Sequence, residues 1–147
     1  MDPLVIGADH RGFELKEALK KHLQRRFEVI DVVTDSGAMV DFPPIAERAV
    51  RQMKQHDSRG ILICGTGFGM AIAANKLKGI RAAVCREEID SNYARKHNDA
   101  NVLCLAANFT NEEKAKRIAE VFLTTQFSNE ERYTRRNQEI ADLEKGR

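Results

Sequence analysis

Residues 61–76 read ILICGTGFGMAIAANK, and this stretch joins a strand pattern to a helix pattern through a glycine loop. The apolar run at 61–63 has the length and β-branched content of a buried strand, and Cys64 ends it. Glycines follow at positions 65, 67 and 69, before a run of small apolar residues typical of a packed helix. A strand that leads through a short loop into a helix is the repeating unit of a parallel α/β sheet.

The same alternation continues on both sides of this stretch. The pattern predicts five strands, at Leu4–Ala8, Phe27–Val33, Gly60–Cys64, Arg81–Cys85 and Asn101–Leu105. It predicts six helices, at Gly12–Arg25, Pro43–Gln55, Phe68–Leu77, Glu87–His97, Thr110–Thr124 and Ser128–Glu144. The last two helices carry capping-box signals, Thr110 with Glu113 and Ser128 with Glu131. We therefore expect an α/β fold with a parallel sheet and helices on both faces.

Composition bounds the class of protein. The chain has 147 residues, 42% hydrophobic and 31% charged, with a formal net charge of +2, which predicts one globular domain over residues 1–147. The balanced charge argues against nucleic acid or a membrane surface as partner, and the apolar runs are too short for a membrane span. Neither a secretory signal nor an even set of cysteines is evident. We expect reduced thiols at Cys64, Cys85 and Cys104 and a cytoplasmic protein.

Ligands of such sheets bind outside the carboxyl ends of the strands. The residues expected there are Asp9–Gly12 after the first strand, Cys64–Gly69 after the third, Cys85–Glu87 after the fourth and Ala106–Asn108 after the fifth.

The glycine loop by itself is ambiguous. Its N–H groups suit a small anion or an enolate oxygen, but a bare strand–helix turn is about equally compatible with the pattern. Met70-Ala71 stands where a Walker loop needs lysine and a hydroxyl residue, and the G-x-G-x-G spacing is not the dinucleotide fingerprint.

Several other candidates also have a simpler explanation when taken alone. Asp9 beside His10 suits a helix cap. Cys64 suits a buried apolar position, although a following helix N-terminus favours a thiolate. His97 shares a helical stripe with Ile89 and Tyr93, which favours a packed histidine. No cluster has metal-ligand spacing, so neither a metal nor a cofactor is implied.

Arginines are spaced along the last predicted helix. Arg132 and Arg136 are four residues apart, with Arg135 beside them, so one helix face presents several guanidinium groups. A solvated charged face is the usual reason for such a run. A phosphate clamp is the functional alternative, because the guanidinium fork matches phosphate oxygens.

Five motifs taken together are specific. GADHRGFELK, GILICGTGFGMAIAANK, GIRAAVC, RKHNDANVL and RYTRRNQEI occur in this order over nearly the whole chain. In this set the sequence resembles the ribose-5-phosphate isomerase B / galactose-6-phosphate isomerase (RpiB/LacAB) family. The resemblance implies a three-layer Rossmann-like (flavodoxin-like) fold and metal-free interconversion of phosphorylated aldoses and ketoses. It also implies a homodimer, often paired into tetramers.

The resemblance also implies roles for single residues. Cys64 matches the thiol base of the family, and Met70 stands where one branch has a glutamate base. His97 matches the ring-opening residue, with Asn98 binding substrate oxygens. Asp9 would handle hydroxyl protons or orient Thr66. The enediolate oxygens would be held by Thr66 and by the backbone N–H groups of the loop, Gly65, Thr66, Gly67, Phe68 and Gly69. The phosphate ligands would be His10, Arg132 and Arg136.

Two positions depart from the family pattern. Asn108 stands where many members have a phosphate-binding arginine, and Phe42 replaces the tyrosine of an Asp-Tyr-Pro segment. Ribose 5-phosphate is the first expected substrate, and a hexose 6-phosphate (allose or galactose 6-phosphate) is the alternative. A non-catalytic sugar-phosphate-binding module is a further alternative, and a redox-sensing thiol protein a weaker one.

The predicted topology separates two of the assigned residues. Cys64 ends the third strand, at the carboxyl edge of the sheet, whereas His97 ends the helix that precedes the fifth strand, near the amino edge. A five-residue strand spans roughly 16 Å, which is too far for both groups to touch one small sugar. We therefore expect active sites shared between subunits of a dimer, with the helix at about 128–144 contributing to site and dimer.

Overall fold

The computed structural model describes residues 1–32 and 39–146. Strands and helices alternate along the described chain. The strands are β1 (Asp2–Ala8), β2 (Phe27–Asp31), β3 (Arg59–Cys64), β4 (Ala82–Val84) and β5 (Val102–Ala106). The helices are α1 (Phe13–Leu23), α2 (Phe42–His56), α3 (Phe68–Asn75), α4 (Glu88–Asn98), α5 (Glu112–Thr124) and α6 (Glu131–Leu143), followed by a 3₁₀ turn at Glu144–Gly146. None of the helices in these two ranges is long and apolar enough to cross a membrane.

The five strands form one parallel sheet in the order β2-β1-β3-β5-β4. The expected α/β architecture is therefore confirmed. The first three strands follow the flavodoxin-like order, but β4 lies outside β5. All five residues of β5 are buried and the three residues of β4 are half-buried, which suits a central and an edge strand respectively.

Alternate side chains of the strands enter two apolar layers, one on each face of the sheet. On one face, Leu4, Ile6, Ile61, Ile63 and Leu103 pack with α1 and α5. On the other, Val5, Leu62, Cys64 and Cys104 pack with α2 and α3. This period of two places the Cys64 side chain on the α2/α3 face, at the carboxyl end of β3.

The predicted elements all exist, and their boundaries differ from the predicted ones by at most three residues. Val33, the predicted end of the second strand, lies outside the described residues. Both predicted capping boxes are wrong. Asn111 caps α5 by accepting a hydrogen bond from the Lys114 N–H at 2.8 Å, and the N-cap of α6 is Glu130. A capping box exists instead at α4, where the Asp90 carboxylate accepts from the N–H of Glu87 at 3.1 Å.

Candidate active site

A cleft of about 430 Å³ opens at the carboxyl ends of β1 and β3. The strand order reverses between these two strands, which is where α/β sheets bind ligands. Its lining combines the β1–α1 loop, the start of α2 and the glycine loop, namely Asp9, His10, Arg11, Met39, Val40, Asp41, Phe42, Cys64, Gly65, Thr66 and Gly69. The Cys64 residue is 5% exposed, at the base of this cleft.

The glycine loop presents unbonded N–H groups beside Cys64. Among the described residues, none accepts a hydrogen bond from the N–H of Gly65, Thr66 or Gly67. Gly67 has φ of 80° and is the N-cap of α3, a conformation that favours glycine. The Thr66 hydroxyl accepts from the N–H of Phe68 at 3.2 Å, while the Phe68 ring is exposed. The loop thus leaves backbone donors available beside Cys64, as an oxyanion needs.

Glycine at position 69 allows an aromatic ring to close one side of the cleft. A Cβ atom on Gly69 would lie 2.7 Å from Cζ of Phe42, so the ring rests directly on the glycine backbone. Phe42 is half-buried at the first turn of α2 and packs against the same apolar layer as Cys64. The position where the family pattern has tyrosine is therefore a wall of the cleft.

Asp9 and His10 are held at the cleft by backbone contacts. The buried Asp9 carboxylate accepts hydrogen bonds at Oδ1 from the N–H groups of Arg11 at 3.0 Å and Gly12 at 3.1 Å. Asp9 therefore stabilises the turn before α1 and is not the helix cap of the simpler interpretation, because the N-cap of α1 is Gly12, without a side-chain cap hydrogen bond. Both bonds use a single carboxylate oxygen. His10 Nδ1 lies 3.3 Å from the backbone N and O of Val40, which fixes the ring in the cleft wall.

Arg11 and Asn108 approach the glycine loop from two sides. A Cβ atom on Gly65 would lie 3.1 Å from Nη1 of Arg11 and 3.1 Å from Nδ2 of Asn108. The backbone N–H of Asn108 donates to the carbonyl of Gly65 at 2.9 Å, so the two loops are tied together.

The three cysteines are unpaired and buried. Burial raises the pKa of Cys85 to about 11. Complete burial also raises the pKa of Cys104, and the neighbouring Cys64 adds to the effect. Cys85 and Cys104 are therefore inert structural thiols, and Cys64 differs from them in lining the cleft.

A second cluster of predicted site residues lies between α4 and α6. The His97 ring stacks on Tyr133, with ring centroids 4.2 Å apart. Arg132 and Arg136 lie over the same tyrosine ring, with their guanidinium carbons 4.8 and 5.8 Å from its centroid. Because Tyr133 contacts both arginines and the histidine, it organises this cluster.

Asn137 joins α6 to the end of α4. Its side chain donates to the His97 carbonyl at 3.1 Å and accepts from Asn98 Nδ2 at 3.2 Å. Arg135, between the two clustered arginines, is paired with Glu131 and Glu139 on the surface. Arg132 is also paired, with Glu130 at 3.5 Å. Among the described residues, Arg136 is therefore the member of this arginine run that forms no ion pair.

The stripe of α4 that carries His97 is not a core face, although the half-buried His97 ring does pack beside Tyr93, with centroids 4.8 Å apart. Ile89 and Tyr93, the other members of that stripe, are 56% and 48% exposed. The face of α4 that enters the protein carries Ser91 and Arg95, both buried. Arg95 donates to Asp99 and to the carbonyls of Ala100 and Thr125, so its charge is compensated inside the fold.

The two clusters lie at opposite edges of the sheet. Cys64 pairs with Ala106 at the carboxyl end of β5, whereas Val102, where β5 begins, pairs with Gly60. His97 precedes that first residue of β5 in the chain. Four residues of strand span roughly 13 Å, so His97 cannot reach the Cys64 cleft of its own chain.

The sequence alone assigns no role to four residues that contact these clusters in the structure. Arg11 and Tyr133 stand within the motifs DHRGF and RYTRR, and Asn137 follows one turn after Tyr133. Phe42 is identified from the sequence only as a departure from tyrosine. No group of histidine, cysteine and carboxylate side chains suitable for a metal ion occurs within residues 1–32 and 39–146.

Comparisons with known proteins agree over the whole chain. Residues 4–140 match the family model for Ribose/Galactose Isomerase. Ribose-5-phosphate isomerase B of Escherichia coli (strain K12) is 40% identical over 149 aligned positions, covering 100% of this chain and 99% of that protein. Among solved structures, ribose-5-phosphate isomerase B of Clostridium thermocellum has a TM-score of 0.94 and 38% identity, with 98% of each chain covered.

A second solved structure was determined with a sugar phosphate. It is ribose-5-phosphate isomerase B from Mycoplasma genitalium with bound ribulose-5-phosphate. Its TM-score to this chain is 0.92 at 36% identity, with 99% of this chain and 97% of that chain covered.

Proposed function

We propose that this chain, which belongs to the ribose/galactose isomerase family, interconverts ribose 5-phosphate and ribulose 5-phosphate through an enediolate with Cys64 as the base. The chain is an aldose–ketose isomerase, and relatives that cover it from end to end are named ribose-5-phosphate isomerase B. The proposal treats residues 1–147 as one catalytic domain.

The observation that carries the proposal is the position of Cys64 beside three unbonded loop N–H groups. Isomerisation removes a proton from C2 of the aldose and returns one to C1, and negative charge develops on the sugar oxygens between these steps. A thiolate at the base of the cleft takes the C2 proton. The N–H groups of Gly65, Thr66 and Gly67 then donate to the developing oxyanion.

Asp9 suits the handling of hydroxyl protons. Its two hydrogen bonds from the backbone go to Oδ1, and they fix the carboxylate in the lining of the cleft. Oδ2 accepts no hydrogen bond from the residues that the structure describes, so it remains free for a substrate hydroxyl. Thr66 lines the same cleft, and its hydroxyl accepts a hydrogen bond from the Phe68 N–H.

The ring-opening half of the reaction is assigned to the α4/α6 cluster of a second subunit. His97 transfers the ring proton and Asn98 binds a substrate oxygen. Arg132 and Arg136 would bind the phosphate together with His10 of the first chain. Because His97 lies at the amino edge of its own sheet, this division of labour requires a homodimer with two composite sites, which are free to pair further into tetramers.

Exposed apolar side chains support such an interface. Ile72 on α3, Ile89 and Tyr93 on α4, and Ile140 and Leu143 on α6 are all more than 40% exposed. Four of these residues lie on α4 and α6, the two helices that carry the cluster, so a subunit covering them brings a second chain close to His97.

The proposed setting is the cytoplasm, where the base stays a reduced thiol. The substrate is a phosphorylated sugar, and the reaction uses no metal or other cofactor. Neither nucleic acid nor a membrane takes part.

An isomerase assay on the purified protein tests this function. Ribose 5-phosphate, allose 6-phosphate and galactose 6-phosphate are offered in turn, with and without EDTA. We expect the highest kcat/KM for ribose 5-phosphate and no effect of EDTA. A higher value for a hexose 6-phosphate would make that sugar the substrate, in line with the changes at Phe42 and Asn108. Binding without turnover of any of the three would indicate a sugar-phosphate-binding module.

A further inference from the structure

We propose that Arg11 binds the substrate phosphate at the carboxyl end of β3, beside Asn108. This inference rests on the proposed function. Arg11 follows Asp9 and His10 in the loop after β1, and it lines the same cleft as Cys64. Asn108 stands two residues after β5. Both side chains place a nitrogen donor close to the position that a Cβ atom on Gly65 would occupy.

The first support is the geometry around Gly65. The Arg11 Nη1 and Asn108 Nδ2 atoms each lie 3.1 Å from the point that a Cβ of residue 65 would occupy. They are therefore no more than about twice that distance from each other, a spacing over which two oxygens of one phosphate can be bound. The absence of a side chain at Gly65 is what admits the guanidinium group, since Cδ of Arg11 would lie only 2.9 Å from such a Cβ.

The second support is that the charge of Arg11 has no counter-ion among the residues that the structure describes. Its exposed guanidinium group forms no ion pair and no hydrogen bond within residues 1–32 and 39–146. The backbone of Arg11 is nevertheless fixed, because its N–H donates to Asp9 Oδ1 at 3.0 Å. By contrast, two other cationic side chains near this edge already have partners. Lys114 forms ion pairs with Glu87 and Glu88, and the guanidinium group of Arg86 lies over the ring of Phe109.

The two observations explain how the site tolerates asparagine at position 108. The structure places a guanidinium group beside Asn108, supplied by the β1–α1 loop instead of the loop after β5. A planar guanidinium group held at a fixed backbone position binds a phosphate dianion with two parallel hydrogen bonds. Arg11 and His10 therefore form the half of the phosphate site that belongs to the same chain as Cys64.

Kinetics of Arg11→Ala test the proposal, with inorganic phosphate as a competitive inhibitor. We expect the KM for ribose 5-phosphate and the Ki for inorganic phosphate each to rise about 10- to 100-fold, as for the loss of a charge-assisted hydrogen bond. The kcat should stay within about threefold, since the contact is made equally in the ground and transition states. Arg25→Ala is the matched control, because Arg25 is an exposed arginine in the loop before β2 at the opposite edge.

The double variant Arg11→Ala/Asn108→Arg tests the position of the guanidinium group. An arginine on the neighbouring loop should return both constants to within about threefold of wild type. Asn108→Arg alone places a second guanidinium group beside Arg11, and the repulsion between these like charges should prevent tighter binding of either ribose 5-phosphate or inorganic phosphate. A double variant as weak as Arg11→Ala would overturn the placement beside Asn108.

Titration calorimetry separates failure of this inference from failure of the proposed function. Ribose 5-phosphate is titrated into Cys64→Ala and into Cys64→Ala/Arg11→Ala, so the affinity is read without turnover. A wild-type protein with no isomerase activity would refute the proposed function alone. Constants that change less than threefold in Arg11→Ala, or equally in Arg25→Ala, would overturn the role of Arg11.

Discussion

The imidazole ring of His97 stacks on the phenol ring of Tyr133, with centroids 4.2 Å apart and planes 12° apart. The two residues belong to different helices, α4 and α6, and Asn137 ties the same two helices together by accepting from Asn98 and donating to the His97 carbonyl. Helix α6 therefore sets the orientation of His97, the proposed ring-opening group, and Arg132 and Arg136 lie over the same tyrosine ring.

Tyr133 is consequently a positioning residue, and its ring rather than its hydroxyl should matter. We expect Tyr133→Leu to lower kcat/KM for ribose 5-phosphate about tenfold, because a freely rotating imidazole spends less time aligned for proton transfer. Tyr133→Phe keeps the stacked ring and should remain within about twofold. NMR of the His97 ring should show a shifted signal in the leucine variant only. Equal activity of the two variants would contradict the role of stacking.

The Cys64 thiol should be needed for turnover and not for binding. We expect Cys64→Ala to lower kcat at least about 100-fold, the usual contribution of a general base, while the dissociation constant of ribose 5-phosphate changes less than about threefold. Cys104→Ala, which removes a buried sulfur on the same face of the sheet, is the control and should keep kcat within about twofold. Near-full turnover of Cys64→Ala would mean that another group is the base.

Alkylation of the native protein should distinguish the three thiols. Because burial raises the pKa of Cys85 to about 11, only about one molecule in a thousand carries that thiolate at pH 8. The raised pKa and complete burial of Cys104 protect it in the same way. We expect iodoacetamide at pH 8 to modify Cys64 alone, as read by peptide mass spectrometry, and ribose 5-phosphate to slow the reaction. Modification of Cys85 before Cys64 would contradict this order.

The contact of Phe42 with Gly69 should be a steric constraint. Gly69→Ala places a Cβ 2.7 Å from the Phe42 ring, so the ring or the loop must shift. We expect this variant to lose about 1–3 kcal/mol of unfolding free energy, measured by urea titration, and most of its kcat. Gly69→Ala/Phe42→Leu should regain much of the stability. Stability losses that simply add in the double variant would show that the two residues do not clash.

Much of this architecture follows from local sequence patterns. A parallel sheet is predicted by the run Ile61–Cys64, the glycine loop and the repeated alternation of strand and helix patterns. The rule that ligands bind at the carboxyl ends of the strands then predicts a cleft at Asp9 and Cys64. The order of the last two strands does not follow in the same way, because it depends on which strand is buried on both sides. The fully buried β5 takes the inner position and the three-residue β4 the edge.

Contacts between distant segments account for what the sequence did not predict. Arg11 reaches Gly65 and Asn108, and Tyr133 reaches His97, across separations that no local periodicity encodes. The stripe of Ile89, Tyr93 and His97 has the spacing of a core face, yet two of the three are exposed. Periodicity identifies an apolar face but does not tell whether the core of its own chain or another surface covers it.

Complementation between two inactive variants tests the central claim of a shared site most directly. Cys64→Ala and His97→Asn, each inactive as a homodimer, are unfolded and refolded together in equal amounts. If one site uses Cys64 of one chain and His97 of the other, each mixed dimer has one intact site and one doubly defective site. Random pairing makes about half of the dimers mixed, so about a quarter of the wild-type activity should return. Verified mixed dimers without recovered activity would contradict the shared site.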